Sequence, residues 1–343
     1  MKTNTLRKFE KITVFHQGAL GDFILACSVF ESLSGLAESG RLFFWTRRQH
    51  AELIESEPFF GGFFPHDDPS ILAFFDDALW MKASIPKPCY GADLVIFFGK
   101  QSIRIVADRL NKRIGETGGI CLWVPSFPEG DETNIPVPLF VAENLNKKLS
   151  CPLSIRPFKI NPPEKALAQA RDMLGNIQNP ICIHPGSGGI RKIWPLARWM
   201  GLVEWLKTTF PAESIVVITG PADNAVEPFV KWAEERHGVL RLQNVSLLIL
   251  SAALSMGRLY IGNDSGISHL ATACGVPALV IFGPTNPAVW APWGENAIVL
   301  KRQWKEEDIL AFPAKISADF YDDNFPDQEI RNKICEIVSR KTS

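Results

Sequence analysis

Residues 181–199 read ICIHPGSGGIRKIWPLARW, and three local structures succeed one another within them. Ile181 to His184 is a short apolar run of strand length. Pro185, Gly186, Gly188 and Gly189 then interrupt regular structure and predict a loop. From Pro195 to Phe210 the spacing predicts a helix, with proline at its first turn and Leu196, Trp199, Val203 and Leu206 on one face. A buried strand, a glycine-rich loop and an amphipathic helix make up the repeating unit of a parallel sheet covered by helices.

The same alternation extends in both directions. Towards the C-terminus, Ser214 to Thr219, Leu259 to Ile261, Ala278 to Phe282 and Ala297 to Leu300 read as strands. Glu164 to Leu174, Val226 to His237, Ser246 to Met256 and Gly266 to Cys274 read as helices. Towards the N-terminus, Lys11 to His16, Arg41 to Trp45 and Asp93 to Phe98 read as strands and Phe23 to Leu33 as a helix. Pro136 and Pro138, then the proline-rich interval Cys151 to Pro163, mark the linker. The expectation is an α/β fold of two doubly wound, Rossmann-like domains, residues 1–155 and 164–320, with ligands beyond the carboxyl ends of the strands. A last helix, Asp327 to Arg340, shows Ile330, Ile334, Ile337 and Val338 on one face and is expected to cross back to the first domain.

Composition excludes several classes. The 36 basic and 37 acidic residues nearly cancel and form no basic stripe, so nucleic acid is not an expected partner. The longest apolar runs are strand-length, far below the roughly 20 residues of a spanning helix. His16, Gln17 and Asp22 break what would be the apolar core of a signal peptide, so the expected location is cytoplasmic. Seven scattered cysteines without a CxxC form neither a disulfide framework nor a zinc site. They read as small core residues.

Three strand-to-helix loops carry residues suited to chemistry. In Gly18-Ala19-Leu20-Gly21-Asp22 the glycines allow close backbone approach, and Asp22 is either an N-cap or a general base. In His184 to Lys192, Ser187, Gly188, Arg191 and Lys192 precede a helix whose free amides and dipole suit phosphate; the alternative is a solvated flexible loop. In Gly262-Asn263-Asp264-Ser265-Gly266, with His269 one turn on, the amides of Ser265 and Gly266 could meet a diphosphate. The plain alternative is an ordinary cap and a helix histidine. Neither G-x-G-x-x-G nor a Walker A loop is present, which disfavours an NAD enzyme and a P-loop enzyme.

Together, Gly18 to Asp22, HPGSGGIRKIWPLARW (184–199) and GNDSGISHLATACGVPALVIFGPTNPAVWAPWG (262–294) resemble glycosyltransferase family 9, the heptosyltransferases of the lipopolysaccharide inner core. The resemblance is much weaker between about residues 40 and 160. It implies a GT-B fold with two domains facing a central cleft, donor in the C-terminal domain and acceptor in the N-terminal one. It also implies metal-free, inverting transfer from ADP-heptose as substrate, with no cofactor. The sequence holds no D-x-D; its Asp-Asp pairs, 67–68, 76–77 and 322–323, read as solvated loops or caps.

By the same resemblance Asp22 is the general base and Lys192, with the 264–266 loop, stabilises the leaving diphosphate. Asp264 and His269 line the donor site, and Thr219, Gly220 and Asp223 stand at the nucleoside. Gly21, Arg47, Arg48, Lys100 and Arg104 are candidates for a phosphorylated lipid A–core acceptor, with transient contact at the inner-membrane surface; the plain alternative for the basic residues is exposed, solvated charge. Competing readings are a GT-B transferase with another nucleotide-sugar donor, a nucleotide-sugar 2-epimerase, and a non-catalytic nucleotide-sugar binder.

Overall fold

The computed structural model describes residues 8–129, 133–311 and 327–339. Asp322, Asp323, Arg340 and the end of the 164–320 range lie outside them. The chain divides into two units, Met1–Phe158 and Lys159–Ser343, with the boundary inside the proline-rich interval.

The first unit is built on five parallel strands: β1 (Ile12–His16), β2 (Leu42–Thr46), β3 (Phe60–Pro65), β4 (Leu94–Gly99) and β5 (Ile120–Pro125). Their order is β3-β2-β1-β4-β5. The central strands are buried on both faces because their sequences, ITVFH and LVIFFG, are apolar almost throughout. Helices α1 (Leu20–Ser34), α2 (Arg48–Ile54), α3 (Arg104–Gly115) and α4 (Val137–Leu149) accompany them. On one face Phe15 stacks on Phe97 at 4.1 Å between ring centroids and meets Trp45 edge-on at 5.0 Å. Val106, Leu110 and Ile114 of α3 close that core.

The second unit has six parallel strands: β6 (Ile181–His184), β7 (Ile215–Thr219), β8 (Leu240–Gln243), β9 (Leu259–Asn263), β10 (Ala278–Phe282) and β11 (Ala297–Lys301). Their order is β11-β10-β9-β6-β7-β8. With α5 (Glu164–Leu174), α6 (Leu196–Thr209), α7 (Glu227–His237), α8 (Leu247–Ser255), α9 (Gly266–Ala273) and the one-turn α10 (Pro287–Trp290), this is the doubly wound order in which chain direction across the sheet reverses between β6 and β9. The equivalent reversal in the first unit lies between β1 and β4.

The last helix, α11 (Gln328–Ser339), corrects an expectation. Ile330, Ile334, Ile337 and Val338 join the core of the second unit, alongside residues of β11 and α6, rather than returning to the first domain. Arg302, just past β11, fixes the start of α11 through paired bonds to Asp327 at 2.8 and 3.0 Å and one to Glu329 at 2.7 Å. Pro136 and Pro138, read as linker, open α4, because proline fits the first helical turn. Strands β3, β5 and β8 were not legible in sequence. All three are sheet edges, only partly buried, and β3 (FGGFFP) carries the glycines and proline of a turn.

Candidate active site

The candidate residues of each unit gather at the carboxyl ends of its central strands. In the first unit, Gly18 to Asp22 follows β1, Arg47 and Arg48 follow β2, and Lys100 and Arg104 follow β4, so they extend from three adjacent strands. Gly21 is buried. Gly18 leaves no room for a side chain, since a Cβ would press on the His16 ring and the Asp22 carboxylate. Asp22 is not the N-cap of α1; that is Ala19. Asp22 stands three residues later, half-buried, and its carboxylate accepts the Ala19 N–H at 3.2 Å. This bond holds the carboxylate over the first turn of α1.

The basic acceptor candidates have different surroundings. Arg47 reaches the Gln17 carbonyl at 3.5 Å, beside the Asp22 loop. Arg48 lies over the Phe63 ring, Lys100 over Phe127, and Arg104 over Trp123 while pairing with Asp108 at 3.5 Å.

Two residues beneath this loop escaped sequence reading. His16 and His50 are fully buried, and neither ring nitrogen of either has a hydrogen-bond partner. His50 stacks on Phe23 at 4.7 Å, and His16 meets Phe23 at 5.4 Å. Burial, with mutual repulsion and the charge of Arg47, lowers His16 to about 3. Burial, Arg47 and His66 lower His50 to about 4.

In the second unit the loops after β6, β7 and β9 meet at the reversal point. Lys192 and Asp264 form an ion pair at 2.8 Å, although the carboxylate oxygen is not aligned for a regular hydrogen bond. Asp264 is buried, while the lysine side chain keeps about a third of its surface exposed. The Ser187 hydroxyl donates to the Asp264 carbonyl at 2.8 Å. The buried Asn263 ties the loops together: its Oδ1 accepts from Trp194 N–H at 3.1 Å, and its Nδ2 donates to the Pro185 carbonyl at 2.6 Å. His269 is also buried, with Nδ1 unpartnered. Desolvation lowers it to about 4, with Asp264 opposing and Lys192 adding to the effect. Gly188 is exposed at the loop tip, beside the exposed Arg191, which pairs with Glu306 at 3.7 Å.

At the start of α6, the Leu196 N–H already donates to the Ile309 carbonyl at 2.9 Å, and residues 193–196 are buried. The start of α9, at Ser265 and Gly266, is the half-exposed helix N-terminus next to Lys192. The nucleoside candidates are engaged internally. Thr219 accepts from Arg241 at 3.1 Å. Asp223 accepts the Gly220 N–H at 2.6 Å and faces Nε2 of His184 at 3.1 Å. Burial pushes the Asp223 carboxyl up, but the bonds to His184 and Gly220 outweigh it and leave it below the usual range. Sequence reading missed His184 and Asn263, which look like strand-end residues until neighbouring loops are placed against them.

The sequence of this unit has counterparts among known proteins. Residues 150–310 match the model of glycosyltransferase family 9 (heptosyltransferase). Over these residues the chain is similar to this family. Among curated relatives, lipopolysaccharide heptosyltransferase 3 of Escherichia coli is 26% identical over 137 residues, covering 39% of this chain and 40% of that protein. The sequence match thus spans well under half of the relative. The fold likeness spans more: E. coli ADP-heptose lipopolysaccharide heptosyltransferase II superposes with a TM-score of 0.68 at 16% identity, over 97% of this chain and all of that one. E. coli heptosyltransferase WaaC, solved with ADP, gives 0.59 at 16% identity over 95% and 99% of the two chains. The fold of the chain is therefore that of the GT-B glycosyltransferases. Among the described residues, no helix is long and apolar enough to cross a membrane, and no group of three or more His, Cys, Asp or Glu could hold a metal ion.

Proposed function

We propose that this protein is an inverting heptosyltransferase that moves a heptose from ADP-heptose to a lipopolysaccharide-core acceptor without a metal. The observation that carries the reading is the pairing of Lys192 with Asp264 beside the N-terminus of α9, at the reversal point of a sheet whose loops match family 9. Departure of the nucleoside diphosphate builds negative charge. An ammonium group and helix amides fixed in advance stabilise that charge without reorganising. Asp264 keeps the Lys192 side chain in position, and an arriving diphosphate shares the ammonium with it. Asp22, ionised on the first turn of α1, takes the proton of the acceptor hydroxyl as it attacks the anomeric carbon. Arg47, Arg48 and Arg104 supply positive charge for phosphates of a lipid A–core acceptor, which brings the enzyme to the cytoplasmic face of the inner membrane.

Calorimetric titration with ADP, UDP and GDP, each without metal, tests the donor. Selective ADP binding that is lost in Lys192→Ala supports the reading, and turnover of ADP-heptose then tests the reaction. Preference for UDP or GDP replaces the donor. ADP binding without turnover of ADP-heptose on any core acceptor would leave a nucleotide-sugar binder.

A further inference from the structure

Ser265 occupies the N-cap of α9, where a serine hydroxyl ordinarily bonds the second or third amide of its helix. Here it makes no such bond. Its Oγ lies 3.2 Å from Nδ1 of His184 instead.

The direction of each proton can be read outward from Asp223. An ionised carboxylate only accepts, so the Gly220 amide and Nε2–H of His184 both donate to it. In the tautomer with its proton at Nε2 the ring's acceptor is Nδ1, and the Ser265 hydroxyl donates there. Two further hydroxyls lie near it, those of Tyr260 and of Ser268 at 3.4 Å; Ser268 already donates to the Asn263 carbonyl and accepts from Tyr260 at 3.0 Å. One histidine therefore links the loops after three adjacent strands, β7, β6 and β9. Gly186 makes room for the link, since a Cβ there would collide with the Asp223 carboxylate.

Drawing the hydroxyl away has a consequence for α9. The first amides of a helix have no carbonyl one turn back to accept them. The Ser268 amide is taken by the Ser265 carbonyl at 3.1 Å, which leaves Gly266 and Ile267, both half-buried, as donors for an outside acceptor. A second sign of a ligand stands on the same helix, where the buried His269 keeps an unpartnered Nδ1.

We infer that His184, held by Asp223, is a positioning residue that diverts the Ser265 hydroxyl from capping α9 and so keeps the Ile267 amide, beside that of Gly266, open to a diphosphate. The inference rests on the donor reading above and adds a residue to it. Two amide substitutions separate the ends of the ring. His184→Gln places an amide N–H near the Nε2 position, so Asp223 stays paired, but offers nothing to Ser265. His184→Asn places an oxygen near the Nδ1 position and keeps the acceptor for Ser265.

The test is calorimetric titration with ADP and with inorganic pyrophosphate. His184→Gln frees Ser265 to cap α9 and weakens both ligands roughly tenfold, the equivalent of about 1.4 kcal/mol. Adding Ser265→Ala to His184→Gln removes the competing hydroxyl and restores affinity to within about threefold of the parent. His184→Asn weakens binding less than His184→Gln does. A merely structural role for His184 would show no recovery in the double variant. Nitrogen-15 spectra of the ligand-free protein supply an independent reading, with His184 protonated at Nε2 and bare at Nδ1. Parent-like affinity in His184→Gln, a double variant no better than the single one, or the opposite tautomer overturns the inference. Parent protein that binds pyrophosphate but not ADP overturns the donor reading and leaves the same variants to decide the role of His184.

Discussion

Acidification should weaken the first unit through His16 and His50. Both rings are neutral in the folded state, where burial holds them at about 3 and about 4, against 6.5 for an ordinary histidine. The unfolded chain takes up a proton on each below about pH 6.5, and the folded one does not until far lower pH. The stabilisation is therefore complete above pH 6.5 and is lost as pH falls towards the folded values. Each pH unit in that window costs about 1.4 kcal/mol per ring, so moving from pH 7 to pH 5 removes about 2 kcal/mol for each and about 4 kcal/mol for the pair. That is a large share of the 5–15 kcal/mol typical of a domain. Urea unfolding followed by tryptophan fluorescence at both pH values measures the loss. The double variant His16→Leu, His50→Leu supplies the control, because it retains every carboxylate and His269, which titrates in the second unit. The variant has its own stability at pH 7, so the quantity of interest is the difference between the two pH values, smaller than in the parent by about 4 kcal/mol. A double variant that loses as much as the parent between pH 7 and pH 5 would refute the argument.

Three further outcomes follow from the site. Asp22→Ala should lower ADP-heptose turnover by about 10²–10⁴-fold, the usual contribution of a general base, with ADP affinity unchanged by calorimetry; near-normal turnover would remove Asp22 from that role. Gly186→Ala forces a methyl group against the Asp223 carboxylate and should destabilise the second unit by about 1–3 kcal/mol in urea, whereas Gly188→Ala, with open space around it, should be nearly neutral. Asn263→Leu leaves the Trp194 amide and the Pro185 carbonyl without their partner and should cost about 2–4 kcal/mol by the same measurement; a loss below 1 kcal/mol would mean that Asn263 does not hold the loops together.

Sequence alone settled the features that depend on local pattern. ICIH, ALVIF and LVIFFG announce buried parallel strands because a strand covered on both faces must be apolar along its length. The spacing of Leu196, Trp199, Val203 and Leu206 announces α6 for the same reason of burial. The three strand-to-helix loops could be located, and Asp22, Lys192, Asp264 and Ser265 picked out, because glycine and polar residues interrupt apolar elements there. Tertiary structure decided what periodicity does not encode. Edge strands such as β3 and β8 gain their conformation from pairing with a neighbour, so their own sequences need not look like strands. The apolar face of α11 specified burial but not the partner, and the packing supplied the second unit. The first amide of α6 is occupied by the carbonyl of Ile309, more than a hundred residues away in sequence, which no local pattern encodes. The link from Asp223 through His184 to Ser265 joins residues 39 and 81 positions apart, and only the sheet order brings their strands side by side.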